Sequence, residues 1–168
     1  MRAVAVACVL LVGAAPAWAE QWTAPGGGFT VEFPDGDGWN AVDVPANAVA
    51  SLPPGAAIVA RRTADGSRAA IVTTFGGAPE QDLTDEIVQG FEAGLFRDKP
   101  AKKLGSSRVM YQGKPAYHYL AEMPGGARMA GVLTMRNRVT YHLQAVRADG
   151  DPTEDKELVG FLDSYRLP

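Results

Sequence analysis

Thiol chemistry is almost absent from this chain, whose one cysteine is Cys8. A disulfide framework is therefore excluded, and the small domains that depend on one are excluded with it. Imidazoles are scarce too, with only His118 and His142 in 168 residues. No Gly-x-Ser-x-Gly elbow occurs, and the glycine run Gly26-Gly27-Gly28 is not followed by the Gly-Lys-Ser/Thr of a phosphate loop. Basic residues form no extended run. The short clusters Arg61-Arg62 and Lys99 to Lys103 read as solvated faces, which argues against a nucleic-acid partner. Asp35-Gly36-Asp37-Gly38 fails as a calcium loop, because Trp39, Asn40 and Ala46 stand where an oxygen ligand, glycine and glutamate are required. It reads as a turn.

Long apolar runs are confined to the start. Arg2, the apolar Ala3 to Val12 and the A-x-A signal Ala17-Trp18-Ala19 have the three parts of a cleavable export leader over residues 1–19. Gly13 and Pro16 interrupt the run, and a spanning helix needs about 20 apolar residues. The expectation is one domain over residues 20–168, periplasmic or secreted, with no stable membrane insertion after cleavage. Cleavage removes Arg2 and Cys8, taking the formal charge from −3 to −4 and leaving no cysteine. Roughly 150 residues can still bury a sizeable core without staples.

What the chain does have is strand signal, densest from Lys103 to Ala148. Gln112-Gly113-Lys114-Pro115, Pro124-Gly125-Gly126 and Arg136-Asn137-Arg138 punctuate segments rich in aromatic and branched residues. Upstream, Phe29, Val31 and Phe33 alternate inward along one strand. Ala57 to Arg62 and Arg68 to Phe75 form a hairpin about Asp65-Gly66. Thr84 is a helix N-cap followed by the stripe Ile87, Val88, Phe91 and Leu95. Within it, Gly90 and Gly94 suggest close packing of helix on sheet. A last helix is marked by Asp151 as N-cap, Pro152, Glu154 and the stripe Leu158, Phe161, Leu162 and Tyr165. The fold class is α+β: an antiparallel sheet of about six or seven strands with a helix on each face.

Histidine and methionine together in an exported chain raise a copper or zinc site, with His118 and His142 as candidate ligands. The turns permit a test. A three-residue loop at Pro124-Gly125-Gly126 sets His118 opposite Val132. A three-residue loop at Arg136-Asn137-Arg138 sets Leu133 opposite Tyr141 and Gly131 opposite Leu143. One face then gathers Tyr117, Tyr119, Met129, Leu133, Met135, Val139, Tyr141 and Leu143. On the other face His118 and His142 flank Val132 about 9.6 Å apart, too far to share an ion without leaning inward. The expectation is no metal, no cofactor and no catalytic residue.

Several segments resemble the PsbP-like superfamily, which includes the DcrB-like bacterial envelope proteins. They are Phe29-Thr30-Val31-Glu32-Phe33-Pro34 followed by Trp39, the helix Thr84 to Phe96, and Gly113-Lys114-Pro115-Ala116-Tyr117. To these add the strand Arg138 to Leu143 and the ending Phe161-Leu162-Asp163-Ser164-Tyr165-Arg166. The resemblance implies an α/β/α sandwich and a non-catalytic accessory or binding role. Members with known roles act on photosystem components or small GTPases. The functional expectation is an exported accessory protein that binds an envelope protein or complex. The alternatives are a small-ligand or metal carrier using Tyr117, Tyr119 and Tyr141 or the histidines, and, more weakly, a hydrolase.

Overall fold

The computed structural model describes residues 20–167, apart from residues 26, 37, 47–48, 50–55, 79–81 and 97–100. The expected export leader, the Pro53-Pro54 loop and the expected helix stop at Asp98-Lys99-Pro100 lie outside the described residues.

Strands β1 (Glu20–Thr23) and β2 (Thr30–Phe33) pair into a small antiparallel sheet of their own. Seven further strands make the main sheet: β3 (Trp39–Ala41), β4 (Ala57–Thr63), β5 (Arg68–Phe75), β6 (Lys102–Tyr111), β7 (Lys114–Glu122), β8 (Arg128–Arg136) and β9 (Val139–Arg147). Their spatial order is β3-β4-β5-β9-β8-β7-β6, every pairing antiparallel. The densest strand signal, β6 to β9, thus forms a continuous meander, and β5 joins it beside β9.

Helix α1 (Asp85–Phe96) covers one face, where Val88, Phe91 and Leu95 meet Tyr117, Tyr119, Met129, Leu133 and Met135. Helix α2 (Lys156–Asp163) and the β1–β2 hairpin cover the other, where Leu158, Phe161 and Leu162 join Phe29, Val31, Phe33, Val132 and Leu143. Phe29 stacks on Tyr141 with ring centroids 4.2 Å apart. A sheet apolar on both faces needs cover on both, and this arrangement supplies it. Backbone bonds between Thr30 and Arg166 (3.1 and 2.8 Å) tie the end of the chain to the hairpin.

Three local expectations are corrected. Asp151 caps a single 3-10 turn, Pro152–Glu154, by accepting from Thr153 N. The α-helix begins only at Lys156, where Asp155 accepts from the amides of Glu157 and Leu158 and is the true cap. Tyr165 is buried but lies beyond that helix.

Gly90 and Gly94 are not at the sheet. Both are exposed, and a Cβ at either position meets nothing within 4 Å. Gly94→Ala is therefore expected to stabilise the domain by about 1 kcal/mol through helix propensity. That corresponds to about 2–4 °C in Tm at this chain length, measured by thermal unfolding.

The third correction is one of register. The β7–β8 loop is the expected three residues, with Met123 N bonded to Ala127 O at 2.7 Å and His118 opposite Val132. The β8–β9 loop is shorter. Arg136 pairs with Val139, so only Asn137 and Arg138 turn, at φ 50° and 63°. This is the geometry of a two-residue type I′ hairpin, which matches strand twist. Every β9 residue therefore changes face. Tyr141 and Leu143 move to the α2 side, and His142 moves to the α1 side.

Candidate functional site

The register change dissolves the expected histidine pair. His118 stands across from Val132 on the α2 side, and His142 across from Leu133 on the α1 side, with the sheet between them. They cannot share an ion. His142 instead joins Met129 and Met135, from which the expected register had separated it. Among the described residues, no three His, Cys, Asp or Glu side chains come together as a metal site.

His142 sits in a closed polar cluster beneath α1. The Tyr119 hydroxyl lies 2.8 Å from His142 Nε2, and Gln144 Nε2 donates to Met129 Sδ at 3.0 Å. Phe91 meets the imidazole edge-on at 4.9 Å, and Phe96 meets the Tyr119 ring at 6.2 Å. Burial lowers the His142 pKa to about 3 and raises that of the Tyr119 phenol. Imidazole and phenol are both neutral at ordinary pH.

Tyr119 reaches His142 by lying over Gly131, its partner across β7–β8. A Cβ on Gly131 would stand 2.3 Å from ring atoms of Tyr119. Only glycine leaves room for the ring to lie flat against the backbone. Sequence reasoning missed this cluster. The glycine within the strand was the available signal, since it marks a close approach.

His118 has a different setting. Burial lowers its pKa, partly opposed by the charge of Asp163, and its Nε2 has no hydrogen-bond partner among the described residues. Ser107 faces it across β6–β7, yet no Ser–His bond joins them.

Among the described residues, charged side chains join the start and length of α1 to β6 and β7 along one flank. Arg108 donates to the Leu83 carbonyl (3.1 Å) and to Asp85 (2.5 Å), Lys103 to Glu92 (2.7 Å) and Lys114 to Asp82 (2.8 Å). The Tyr117 hydroxyl also donates to Glu92. Burial works against the Glu92 charge, but the bonds from Lys103 and Tyr117 outweigh it and lower its pKa. Burial and the Glu92 contact push the Tyr117 phenol up to about 12. Partly exposed pairs of this kind contribute about 0–1 kcal/mol each. Their main effect is to fix α1 along the strand.

An open cleft of about 550 Å³ lies at the start of α1, bordered by Leu83, Asp85, Arg108, Met110 and Pro115. A second, of about 410 Å³, is bordered by Gln89, Glu92, Ala93, Phe96 and Lys103. Neither borders a histidine. Met110 is 69% exposed and Leu104 38%, so two exposed large hydrophobic side chains lie on this one strand.

A seven-stranded antiparallel sheet held between helices, with an open flank along one edge, defines an α+β sandwich. No family model matches the sequence, and no curated protein matches it. Among solved structures it is similar to the solution structure of cyanobacterial PsbP (CyanoP) from Synechocystis. The TM-score is 0.67 at 16% identity, covering 93% of this chain and 96% of that one. A crystal structure from Bacteroides thetaiotaomicron aligns with a TM-score of 0.49 at 11% identity, covering 90% of this chain. The chain spans about half, 49%, of that protein. The fold is PsbP-like, as the sequence resemblance implied.

Proposed function

We propose that this chain is an exported accessory protein of the cell envelope that acts by binding a protein partner along the α1–β6 flank. The observation that carries this reading is exposed Met110 at the border of the cleft where α1 starts, with exposed Leu104 farther along the same strand and a second cleft beside Lys103. Exposed apolar groups bordered by charged side chains are the composition of a protein-binding surface. The leader-like residues 1–19 support export, and the PsbP-like fold is consistent with accessory work.

The test has two arms. Osmotic-shock fractionation is expected to release a chain beginning at Glu20. A photo-crosslinking residue at Ala93, beside the second cleft, is expected to give one discrete adduct, while the same residue at Asp149, on an exposed turn elsewhere, gives none. Cytoplasmic retention of the full chain would overturn the envelope assignment. Equal labelling from Ala93 and Asp149 would overturn the choice of flank.

A further inference from the structure

Among the described residues, the side chains held at positive φ without being glycine all lie in two tight turns at one end of the main sheet. Gln112 (49°) opens the β6–β7 turn, and Asn137 (50°) and Arg138 (63°) make the β8–β9 turn. An L side chain is disfavoured in this region, and a residue held there against that cost points to a use.

Two of the three are accounted for within the fold. Asn137 is a residue type that tolerates this conformation. Gln112 clamps the end of the chain: its amide nitrogen donates to the Tyr165 carbonyl (3.0 Å) and its oxygen accepts from the Leu167 amide (3.1 Å). Arg138 is different. A type I′ turn favours glycine at its second position, yet an exposed arginine stands there. Its carbonyl accepts from Ala78 N at 3.0 Å, a bond that glycine would make equally well.

The charge at this turn is unmatched. Arg136 closes the turn by pairing with Val139, and it is half-buried. Burial raises the Tyr141 phenol pKa and the Arg136 charge opposes that rise, which places the guanidinium near Tyr141. Among the described residues, no carboxylate pairs with Arg136 or Arg138. Near the other turn, by contrast, Lys114 and Arg108 pair with Asp82 and Asp85, and Arg166 bonds to the Tyr111 hydroxyl.

The two turns are two strand spacings apart, about 10 Å at roughly 4.8 Å per strand. The cleft bordered by Met110 and Pro115 adjoins the first of them. A partner seated in that cleft can therefore reach the arginines of the second. Guanidinium groups take carboxylates in paired, charge-assisted hydrogen bonds. A broad anionic surface fits poorly, because a membrane or nucleic acid laid across this end would also meet Asp85 and Glu86 at the cleft. A narrow acidic segment avoids them.

We propose that the turn Arg136-Asn137-Arg138 is a docking site for the carboxylates of an acidic segment in a partner protein. The inference rests on the reading of the adjoining cleft as a partner surface, and it adds the chemistry by which that partner is recognised. It also gives the strained arginine a role, since glycine at this position would stabilise the turn and remove the charge.

The experiment uses the full chain and a fluorescein-labelled oligo-glutamate peptide, with binding read by anisotropy. Oligo-lysine peptide and phosphatidylglycerol vesicles serve as controls. Oligo-glutamate is expected to bind at an ionic strength of about 0.01 M and to weaken at least fivefold at about 0.15 M. Arg138→Gly and Arg136→Gln are each expected to weaken it about tenfold. Arg138→Gly is also expected to raise Tm by about 2–4 °C, because it relieves the turn.

Absence of oligo-glutamate binding would overturn the proposal, as would an affinity unchanged by either variant or by salt. Equal binding to oligo-lysine, or tighter binding to the vesicles, would overturn the choice of an acidic protein segment. A Tm unchanged or lowered by Arg138→Gly would show that the fold itself uses this side chain, and would overturn the proposal too. If oligo-glutamate fails to bind while the Ala93 adduct persists, the arginine site fails and the flank reading stands. If it binds and no adduct forms, the reverse holds.

Discussion

Replacing Gly131 with alanine is expected to destabilise the domain by about 3–5 kcal/mol, combining overpacking with loss of a buried hydrogen bond. The added Cβ would lie 2.3 Å from Tyr119 ring atoms, well inside any tolerable contact. The ring has little freedom to retreat. Phe91 and Phe96 pack on it with centroids at 5.8 and 6.2 Å, and its hydroxyl is fixed 2.8 Å from His142. If the ring tilts away, His142 Nε2 is left without that partner. Urea denaturation of Gly131→Ala measures the total. The double variant Gly131→Ala/Tyr119→Leu tests the cause, since a shorter side chain opposite residue 131 removes the clash. Recovery of a kilocalorie or more relative to additivity is expected, because the two residues are in contact. Additive losses would place the role of Gly131 elsewhere.

The second large effect is acid sensitivity. Burial lowers the His142 pKa to about 3, against 6.5 for an ordinary imidazole. Protonation therefore favours the unfolded chain. The stabilisation due to the neutral ring is complete above pH 6.5 and is lost progressively as pH falls toward 3. Over that interval the loss amounts to about 4 kcal/mol, at 1.36 kcal/mol per pKa unit. His118 acts in the same direction, because burial lowers its pKa as well. Glu92 and Asp151, also lowered in the fold, add carboxylate contributions that disappear on acidification. The diagnostic comparison is with His142→Gln, which keeps an acceptor for Tyr119 but does not titrate. Its unfolding free energy is expected to vary less steeply between pH 7 and pH 4 than that of the unaltered chain. Parallel profiles would mean that His142 titrates alike in the folded and unfolded chain, and that its burial does not disfavour the charged ring.

Both effects arise from a cluster that sequence patterning assembled incorrectly, and the reason is specific. A register is strongly fixed when one face of a strand is apolar and the other polar. In β9, Val139, Tyr141, Leu143 and Ala145 alternate with Thr140, His142, Gln144 and Val146, and both sets are at least partly buried. Either face could be assigned to either layer with little apparent penalty. The deciding feature was the loop, and its second residue, Arg138, takes a positive φ of 63° that a sequence reading would assign to glycine or asparagine. By contrast, the β7–β8 loop carries Gly125 and Gly126 at φ 89° and 91°, residues suited to that geometry, and there the expected register held.

The caps show a similar division. Thr84 lies beside the start of α1 as expected, with its hydroxyl 3.4 Å from the Ile87 amide. At the other helix, Asp151 and Asp155 are both competent caps four residues apart. Both are used, the first for a 3-10 turn and the second for α2. Capping chemistry is local and therefore legible. Which of two successive caps opens the longer helix depends on the layer it packs against.

By itself the sequence determined the antiparallel α+β class, the two-sided core, the strand-rich meander and the stripe of α2, because period and turn chemistry are local properties. Tertiary structure alone decided which side of the sheet each histidine occupies, that Gly131 makes room for Tyr119, and that β6 takes the last place in the strand order of the main sheet. Each depends on contacts between residues far apart in the chain, where a shift of one position reverses the outcome without altering the local pattern.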